Sequence, residues 1–443
     1  MPNARCLQTV FIMIKYGLHS AHIGAFLFGL LLFFGILLLL DVYVSKGLRA
    51  AVSKFPARIK RGIIYIYWFV NICFFILTLY LIIGFAATSN ASVTGFKIAI
   101  TLFVTLYSSK IVYGLFLLAE DIYRSGRWGV LKFLKSVSIS KHYETPYFPS
   151  RRRFISQAAA LAAGIPFIGS IYGVIKGKYN FKVHKVELAF RSLPKAFDGF
   201  TITQVSDIHS GSFGDRNEVI KGINLVNEQK SDIIFFTGDL VNMRSSEMVP
   251  WMDVFNRLNA PMGVFSTLGN HDYGDYTEWP TPEAKQANFE EMCKIHSQLG
   301  YQLLRNNNCK IKKGDSYIDL LGVENWGRGG FSKYGDLDKA FDGTSSDSFK
   351  ILLSHDPTHW EEKVMNDPRM IHLTLSGHTH GFQFGFELPG IRFSPAEFHY
   401  KRWAGLYIEN NKYLYVNRGF GYLAYPGRVG IWPEITVITL KSA

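Results

Sequence analysis

Five short polar clusters punctuate the second half of the chain: Asp207-Ile208-His209, Gly238-Asp239, Gly269-Asn270-His271-Asp272, Ser354-His355-Asp356 and Gly377-His378-Thr379-His380. Carboxylate oxygen, imidazole nitrogen and amide oxygen are donors that suit Mn, Fe or Zn, ions of intermediate hardness. No cysteine stands among them, so a structural thiolate zinc site is not indicated. Asp207, His209, Asp239, Asn270, His355, His378 and His380 offer seven donors. That is too many for one catalytic ion with open positions and suits two ions sharing a bridging carboxylate. A lone Asp-x-His or Gly-Asp is more often a turn or a helix cap. Gly-Asn-His-Asp and Gly-His-Thr-His say more, because each sets two polar site residues side by side.

Each cluster closes an apolar run. Residues 201–205, 232–236, 263–267, 350–353 and 371–375 read as buried strands, and residues 216–228, 247–258 and 282–299 as helices. A β-rich tail follows, with a hairpin over 403–408 and 413–416 around Asn410-Asn411 and a last strand at 434–440. Strands followed by helices predict an α/β core. Ligands in open α/β sheets gather at the carboxyl ends of strands, so five strand ends would bring the seven donors to one edge.

The ordered series Asp-x-His, Gly-Asp, Gly-Asn-His-Asp, His, Gly-His-x-His resembles the calcineurin-like metallophosphoesterases, over about residues 198–441. Asn417-Arg418-Gly419-Phe420-Gly421, Pro426-Gly427-Arg428 and Pro433-Glu434-Ile435 look like the tail of that family's bacterial membrane-anchored branch. One departure is visible: the branch commonly has two glycines after the last His, and here Gly381 is followed by Phe382, which would narrow the site mouth. The resemblance implies a four-layer α/β/β/α sandwich and two divalent metal ions. Asp207, His209 and His380 would bind the first ion, Asn270, His355 and His378 the second, and Asp239 both. His271 would contact the phosphate and protonate the leaving oxygen, and Asp272 would orient His271. Two cations would lower the pKa of a water shared between them, giving an in-line attack on phosphorus.

The first third of the chain has a different texture. Residues 23–40, 63–87 and 98–119 are long and apolar enough to cross a membrane, which takes about 20 residues. A weaker fourth run, 154–175, is rich in Ala and Gly, contains Pro166 and follows Ser150-Arg151-Arg152-Arg153-Phe154. That pentapeptide looks like a twin-arginine export signal; it reads equally well as a positive cluster anchoring a helix end. The expected division is a membrane region over 1–153, a fourth anchor over 154–177 and a phosphoesterase domain over 178–443. Lys110, inside the third span, reads as packed against a polar neighbour rather than as functional.

Net charge sharpens this division. The chain carries +13, but residues 1–153 hold 18 basic and 4 acidic residues, while residues 154–443 are near neutral with 30 and 31. The excess is therefore a membrane signature and no sign of a nucleic-acid partner. Residues 41–62 hold six basic residues, 88–96 hold only Lys97's uncharged neighbours, and 121–153 hold eight. The positive-inside rule puts the first and third of these loops in the cytoplasm. With a fourth crossing, the large domain faces outward from a bacterial inner membrane.

Other residues carry weaker signals. His359 reads as surface helix and His372 as strand. Arg418 and Arg428 could bind the substrate's charge or simply pin the tail. Cys293 and Cys309 could pair in an oxidising compartment, although the unpaired reading weighs more. The expected function is hydrolysis of a phosphodiester or phosphomonoester, with the bilayer and a lipid-linked or cell-envelope phosphoester as partners. One alternative is a cytoplasmic-facing pyrophosphatase acting on UDP-2,3-diacylglucosamine in lipid A synthesis. Another is a non-catalytic metal-binding sensor or scaffold.

Overall fold

A computed structural model describes residues 20–88, 93–136 and 149–443. The chain divides into two compact units between Ile171 and Tyr172. The N-terminal 19 residues, the link 89–92 between the second and third spans and part of the last basic loop, 137–148, lie outside the described residues.

The first unit is helical: α1 Ser20–Ala51, α2 Ala57–Thr88, α3 Val93–Ser136 and α4 Pro149–Ile175. All four are long and apolar enough to cross a membrane. The basic stretches are largely helix ends rather than loops. Lys46 and Arg49 lie on α1, Arg58, Lys60 and Arg61 on α2, and Arg124, Arg127 and Lys132 on α3, which runs well past its expected end at residue 119. At 1.5 Å per residue, the 44 residues of α3 measure about 66 Å, roughly twice the hydrocarbon core. Asp41, expected to open the first loop, is instead fully buried on α1. Lys110 on α3 pairs with it at 2.6 Å, lies 3.9 Å from the centre of the Tyr107 ring and donates to Asn71 of α2. Tyr107 donates to the other Asp41 oxygen at 3.0 Å. An intramembrane cation thus packs against polar neighbours, with its charge matched inside the bundle. Arg151 and Arg152 at the start of α4 dock on α3: Arg152 lies 3.7 Å from Asp121, and Arg151 sits 4.3 Å from the Tyr123 ring centre.

The second unit holds two six-stranded mixed sheets. The first contains β1 Lys182–Phe190, β2 Thr201–Val205, β3 Ile233–Phe236, β4 Val264–Ser266, β5 Tyr301–Leu303 and β14 Glu434–Ser442, in the order β1-β14-β2-β3-β4-β5. The second contains β6 Asn307–Lys313, β7 Ser316–Gly322, β8 Lys350–Leu353, β9 Leu373–Ser376, β12 Gly405–Glu409 and β13 Lys412–Val416, in the order β12-β13-β9-β8-β7-β6. A separate hairpin pairs β10 Phe386–Leu388 with β11 Ile391–Phe393. Within the sheets, β2, β3, β4 and β5 run parallel, as do β7, β8, β9 and β13. These central strands are covered on both faces, which is why β3 reads Ile-Ile-Phe-Phe with no alternation.

One apolar core lies between the sheets and draws Ile202, Ile233, Phe235 and Phe265 from the first, and Leu320, Ile351, Leu353 and Leu375 from the second. The outer face of the first sheet is covered by α5 Arg216–Glu228 and α7 Pro282–Gln298, with α6 Met252–Phe255 beside them. The outer face of the second is covered by α8 Leu337–Phe341 and α9 Thr358–Glu362, with Trp360 fully buried. The result is the expected four layers. Three local expectations change. The helix expected over 247–258 is a 3₁₀ stretch, Ser245–Trp251, followed by the single turn α6, because Pro250 cannot donate to a continuous α-helical ladder. His359 is fully buried rather than on the surface, with Nδ1 2.9 Å from the Ser354 hydroxyl. His372 stands just before β9, where its Nδ1 accepts the Lys350 N–H.

Candidate metal centre

The loops after β2, β3, β4, β8 and β9 converge and bring all seven expected donors together. Asp207, His209 and His380 form one group, and Asp239, His355 and His378 another. In the first, His209 Nε2 lies 3.0 Å from His380 Nε2, which lies 3.1 Å from Asp207 Oδ1. In the second, His355 Nε2 is 3.1 Å from Asp239 Oδ2 and 3.3 Å from His378 Nδ1, with Asn270 Oδ1 2.8 Å from the same His378 nitrogen. Asp239 Oδ2 is also 3.6 Å from His209 Nε2, so this one carboxylate faces both groups.

The local backbone is unusual. Asp207, His209, Asp239, His378 and His380 all have φ between 50 and 73°, the left-handed region that residues with a Cβ rarely adopt. The glycines in the motifs permit close approach. A Cβ on Gly377 would stand 2.1 Å from Asp207 Oδ2, and one on Gly269 would stand 2.2 Å from Asp239 Oδ1.

Ring nitrogens facing away from the site are tied down. His209 Nδ1 donates to the Val241 carbonyl at 3.2 Å and His355 Nδ1 to the Thr237 carbonyl at 2.8 Å, each leaving an Nε2 lone pair for the centre. His378 reaches Tyr400 Oη through Nε2 at 3.0 Å, and Asn270 donates through Nδ2 to Tyr276 at 2.7 Å. Burial holds His209 well below the usual imidazole range and His378 down to about 4, so both are neutral. Burial would also lower His355, but the adjoining Asp239 carboxylate holds it up at about 10, so its Nε2 carries a proton shared with Asp239, and a bound cation would displace that proton to free the lone pair. For Asp239 itself, burial opposes ionisation and His355 and His271 outweigh it, leaving it well below the carboxylate range.

This donor set fits divalent cations. Lone pairs that cannot all hydrogen-bond to one another face inward at 3.0–3.6 Å. An ion about 2.0–2.2 Å from each donor would set neighbouring donors about 3 Å apart. Two ionised carboxylates at 0 and 1% exposure also need positive partners.

The remaining expected residues divide. His271 is one of two partly exposed members, with His378. Its Nδ1 is 2.5 Å from the Asn242 carbonyl, and its ring packs on Tyr276. Asp272 does not orient it. Its two oxygens accept the backbone N–H groups of Asp239, Leu240 and Gly269 at 2.8–3.0 Å, which spends its acceptors on bracing two ligand loops. Burial and the nearby Asp239 charge push its carboxyl up to about 7. Arg418 is buried between Glu434 and Glu387, so it pins the tail rather than meeting a substrate. Arg428 is also fully buried; it donates to the Gly421 carbonyl and, through Nη2, to His380 Nδ1 at 2.9 Å. Phe382, in the second-glycine position, has a φ of 49° and packs beside Tyr400 against Ala396, Trp403 and Ile431. Cys293 and Cys309 are free thiols. Tyr400 and Tyr276 carried no sequence signal, for neither belongs to a motif and each meets its ligand only through the fold.

Comparison with known proteins agrees with this geometry. Residues 200–382 match the calcineurin-like phosphoesterase family, and residues 25–178 match the family described as a probable calcineurin-like phosphoesterase, transmembrane domain. The chain is 31% identical over 302 residues to the uncharacterized metallophosphoesterase YkuE of Bacillus subtilis, covering 66% of this chain and 98% of that protein. It is 29% identical over 293 residues to the phosphodiesterase YaeI of Escherichia coli, covering 66% and 99%. It is also 29% identical over 309 residues to the transmembrane protein with metallophosphoesterase domain of Danio rerio, covering 66% and 67%. With its four membrane-length helices ahead of an α/β domain that gathers two metal-ligating groups, the chain belongs to the calcineurin-like metallophosphoesterases, hydrolases of phosphoester bonds.

Proposed function

We propose that the chain is a membrane-anchored, dinuclear metallophosphoesterase that cleaves a phosphodiester or phosphomonoester at the outer face of a bacterial inner membrane. The observation that carries the dinuclear reading is the Asp239 carboxylate, placed between the two histidine groups. Asp207, His209 and His380 would hold one ion, Asn270, His355 and His378 the other, and Asp239 would serve both. Two bound cations of the Mn, Fe or Zn class would acidify water and neutralise phosphate charge. His271 stands at the open side with Nδ1 committed to a carbonyl, so Nε2 is the nitrogen that meets the phosphate and protonates the leaving oxygen. Burial lowers its proton affinity, so this acid role is lost early as pH rises.

The test is Asp239→Asn. Elemental analysis should find both ions depleted, and hydrolysis of bis(p-nitrophenyl) phosphate should fall by about a thousandfold or more. Retention of two ions with undiminished turnover would sink the reading. His271→Gln should keep both ions, lose about 10²–10⁴-fold in turnover and flatten the alkaline fall of the pH profile. The outward orientation rests on the basic helix ends flanking the α1–α2 and α3–α4 connections.

A further inference from the structure

The β10–β11 hairpin sorts its side chains by face, apolar on one side and charged on the other. Its partners are Phe386 with Phe393, Glu387 with Arg392 and Leu388 with Ile391. Paired and alternate residues share a face, so Phe386, Leu388, Ile391 and Phe393 form one side and Glu387 and Arg392 the other. The charged side is docked: Glu387 pairs with Arg418, and Arg392 donates to the Ala404 carbonyl at 2.7 Å. The apolar side is left uncovered, with Phe386 45%, Leu388 61% and Ile391 62% exposed. Phe398, 80% exposed, extends it beside Phe393 with ring centres 6.2 Å apart. A contiguous apolar patch of this kind marks a contact surface.

Continuity with α4 names the occupant. The last turn of that bilayer-length helix lies against residues 428–432: Arg428 N–H donates to the Gly173 carbonyl at 3.2 Å, and the Tyr172 ring meets Trp432 edge-on at 5.7 Å. Tyr and Trp are the residues that favour a membrane–water interface. The same strip joins the hairpin, since Phe384 bridges Val429 and Gly385 N–H donates to the Val429 carbonyl at 2.9 Å. Past the hairpin, the chain runs through Phe398 to Tyr400, which touches the candidate ligand His378. Within the second unit, contacts and chain therefore link Tyr172 and Gly173 to the hairpin, and the hairpin to the ligand His378.

We propose that the β10–β11 hairpin and Phe398 dip into the surface of the bilayer that α4 enters, and that the centre acts on phosphoesters of membrane lipids presented there. This rests on the phosphoesterase reading above and names its substrate class. In the full chain reconstituted in nanodiscs of phosphatidylethanolamine and phosphatidylglycerol, p-benzoylphenylalanine placed at Phe398 should give a lipid photo-adduct. An adduct to a second copy of the chain, to residues 1–19 or 137–148 of the same chain, or no adduct, overturns the docking. The variant carrying Leu388→Ser and Ile391→Ser should lose about tenfold in kcat/KM on vesicle-bound hexadecyl p-nitrophenyl phosphate and stay within about twofold on soluble ethyl p-nitrophenyl phosphate. Equal loss on both, or on neither, overturns the substrate class. No ethyl ester hydrolysis by the unsubstituted chain defeats the phosphoesterase reading and its lipid substrate together, while the photo-adduct still decides the docking.

Discussion

Asp272 spends both carboxylate oxygens on three backbone N–H groups from the Gly238-Asp239 and Gly269-Asn270 turns. It acts on the ligands by holding their loops, so Asp272→Asn should cost about 1–3 kcal/mol in thermal unfolding, the penalty of a spoiled buried hydrogen-bond set. It should also weaken metal retention without changing the shape of the pH profile, which a partner of His271 would alter. Gly377→Ala is sharper, because its new Cβ would stand inside contact distance of Asp207 and Ser206. Both ions should be lost on purification, as measured by elemental analysis. The ligands were legible in the sequence because each motif sets a donor just after a strand, and three of the five join it to a glycine that allows close approach. The groups that aim those donors were not. The Val241, Thr237 and Asn242 carbonyls are backbone atoms that any residue supplies, and Tyr400 lies 22 positions beyond His378. The arginines Arg418 and Arg428 stayed open between substrate and tail for a related reason: only the fold reveals Glu434 and Glu387 around Arg418, and the Gly421 carbonyl and His380 beside Arg428.

Among the elements, the parallel central strands were readable as unbroken apolar runs, and the β12–β13 hairpin was readable from Asn410-Asn411. Both asparagines take positive φ, as a tight hairpin turn demands. Peripheral elements were harder. In β1 only Leu188 and Phe190 are buried, so its sequence carries little apolar signal, and parallel pairing with the distant β14 holds it. The β10–β11 hairpin was unreadable because its pattern is inverted relative to the rest of the domain. At the start of β14, Glu434 gives an element-level prediction. Burial alone would raise its carboxyl, but Arg418 and His184 hold it down to about 2 from an ordinary 4.5. A depressed carboxyl stabilises the fold fully above its unfolded value, and that contribution fades as pH falls through the folded one. The detergent-solubilised chain should therefore lose thermal stability between about pH 4.5 and 2, and Glu434→Gln should reduce that dependence while lowering stability at pH 7.

At the scale of the whole molecule, charge is divided between membrane helices and a near-neutral hydrolase domain, so attraction for a phosphate must come from ions in the centre rather than from a basic surface. Alkaline phosphatase fused after Ala443 should be active and a fluorescent protein fused there dark; the reverse result would move the domain to the cytoplasm. Replacing Arg151 and Arg152 by Lys separates the two readings of that cluster. If the cluster is an export signal, the variant should fail to place the domain outside, whereas docking on Asp121 and Tyr123 would change only bundle stability, read as thermal aggregation in detergent. The Asp41–Lys110 pair reaches further back, to the birth of the protein. These two charges sit on α1 and α3, so neither helix is electrically complete without the other. As the chain leaves the ribosome, α1 would have to wait close to the insertion machinery until α3 arrives, or leave a bare carboxylate among the lipids. Lys110→Leu alone should therefore reduce the amount of protein reaching the membrane more than Lys110→Leu combined with Asp41→Leu. In that sense the pair acts as a checkpoint on assembly, passed before any phosphoester is met.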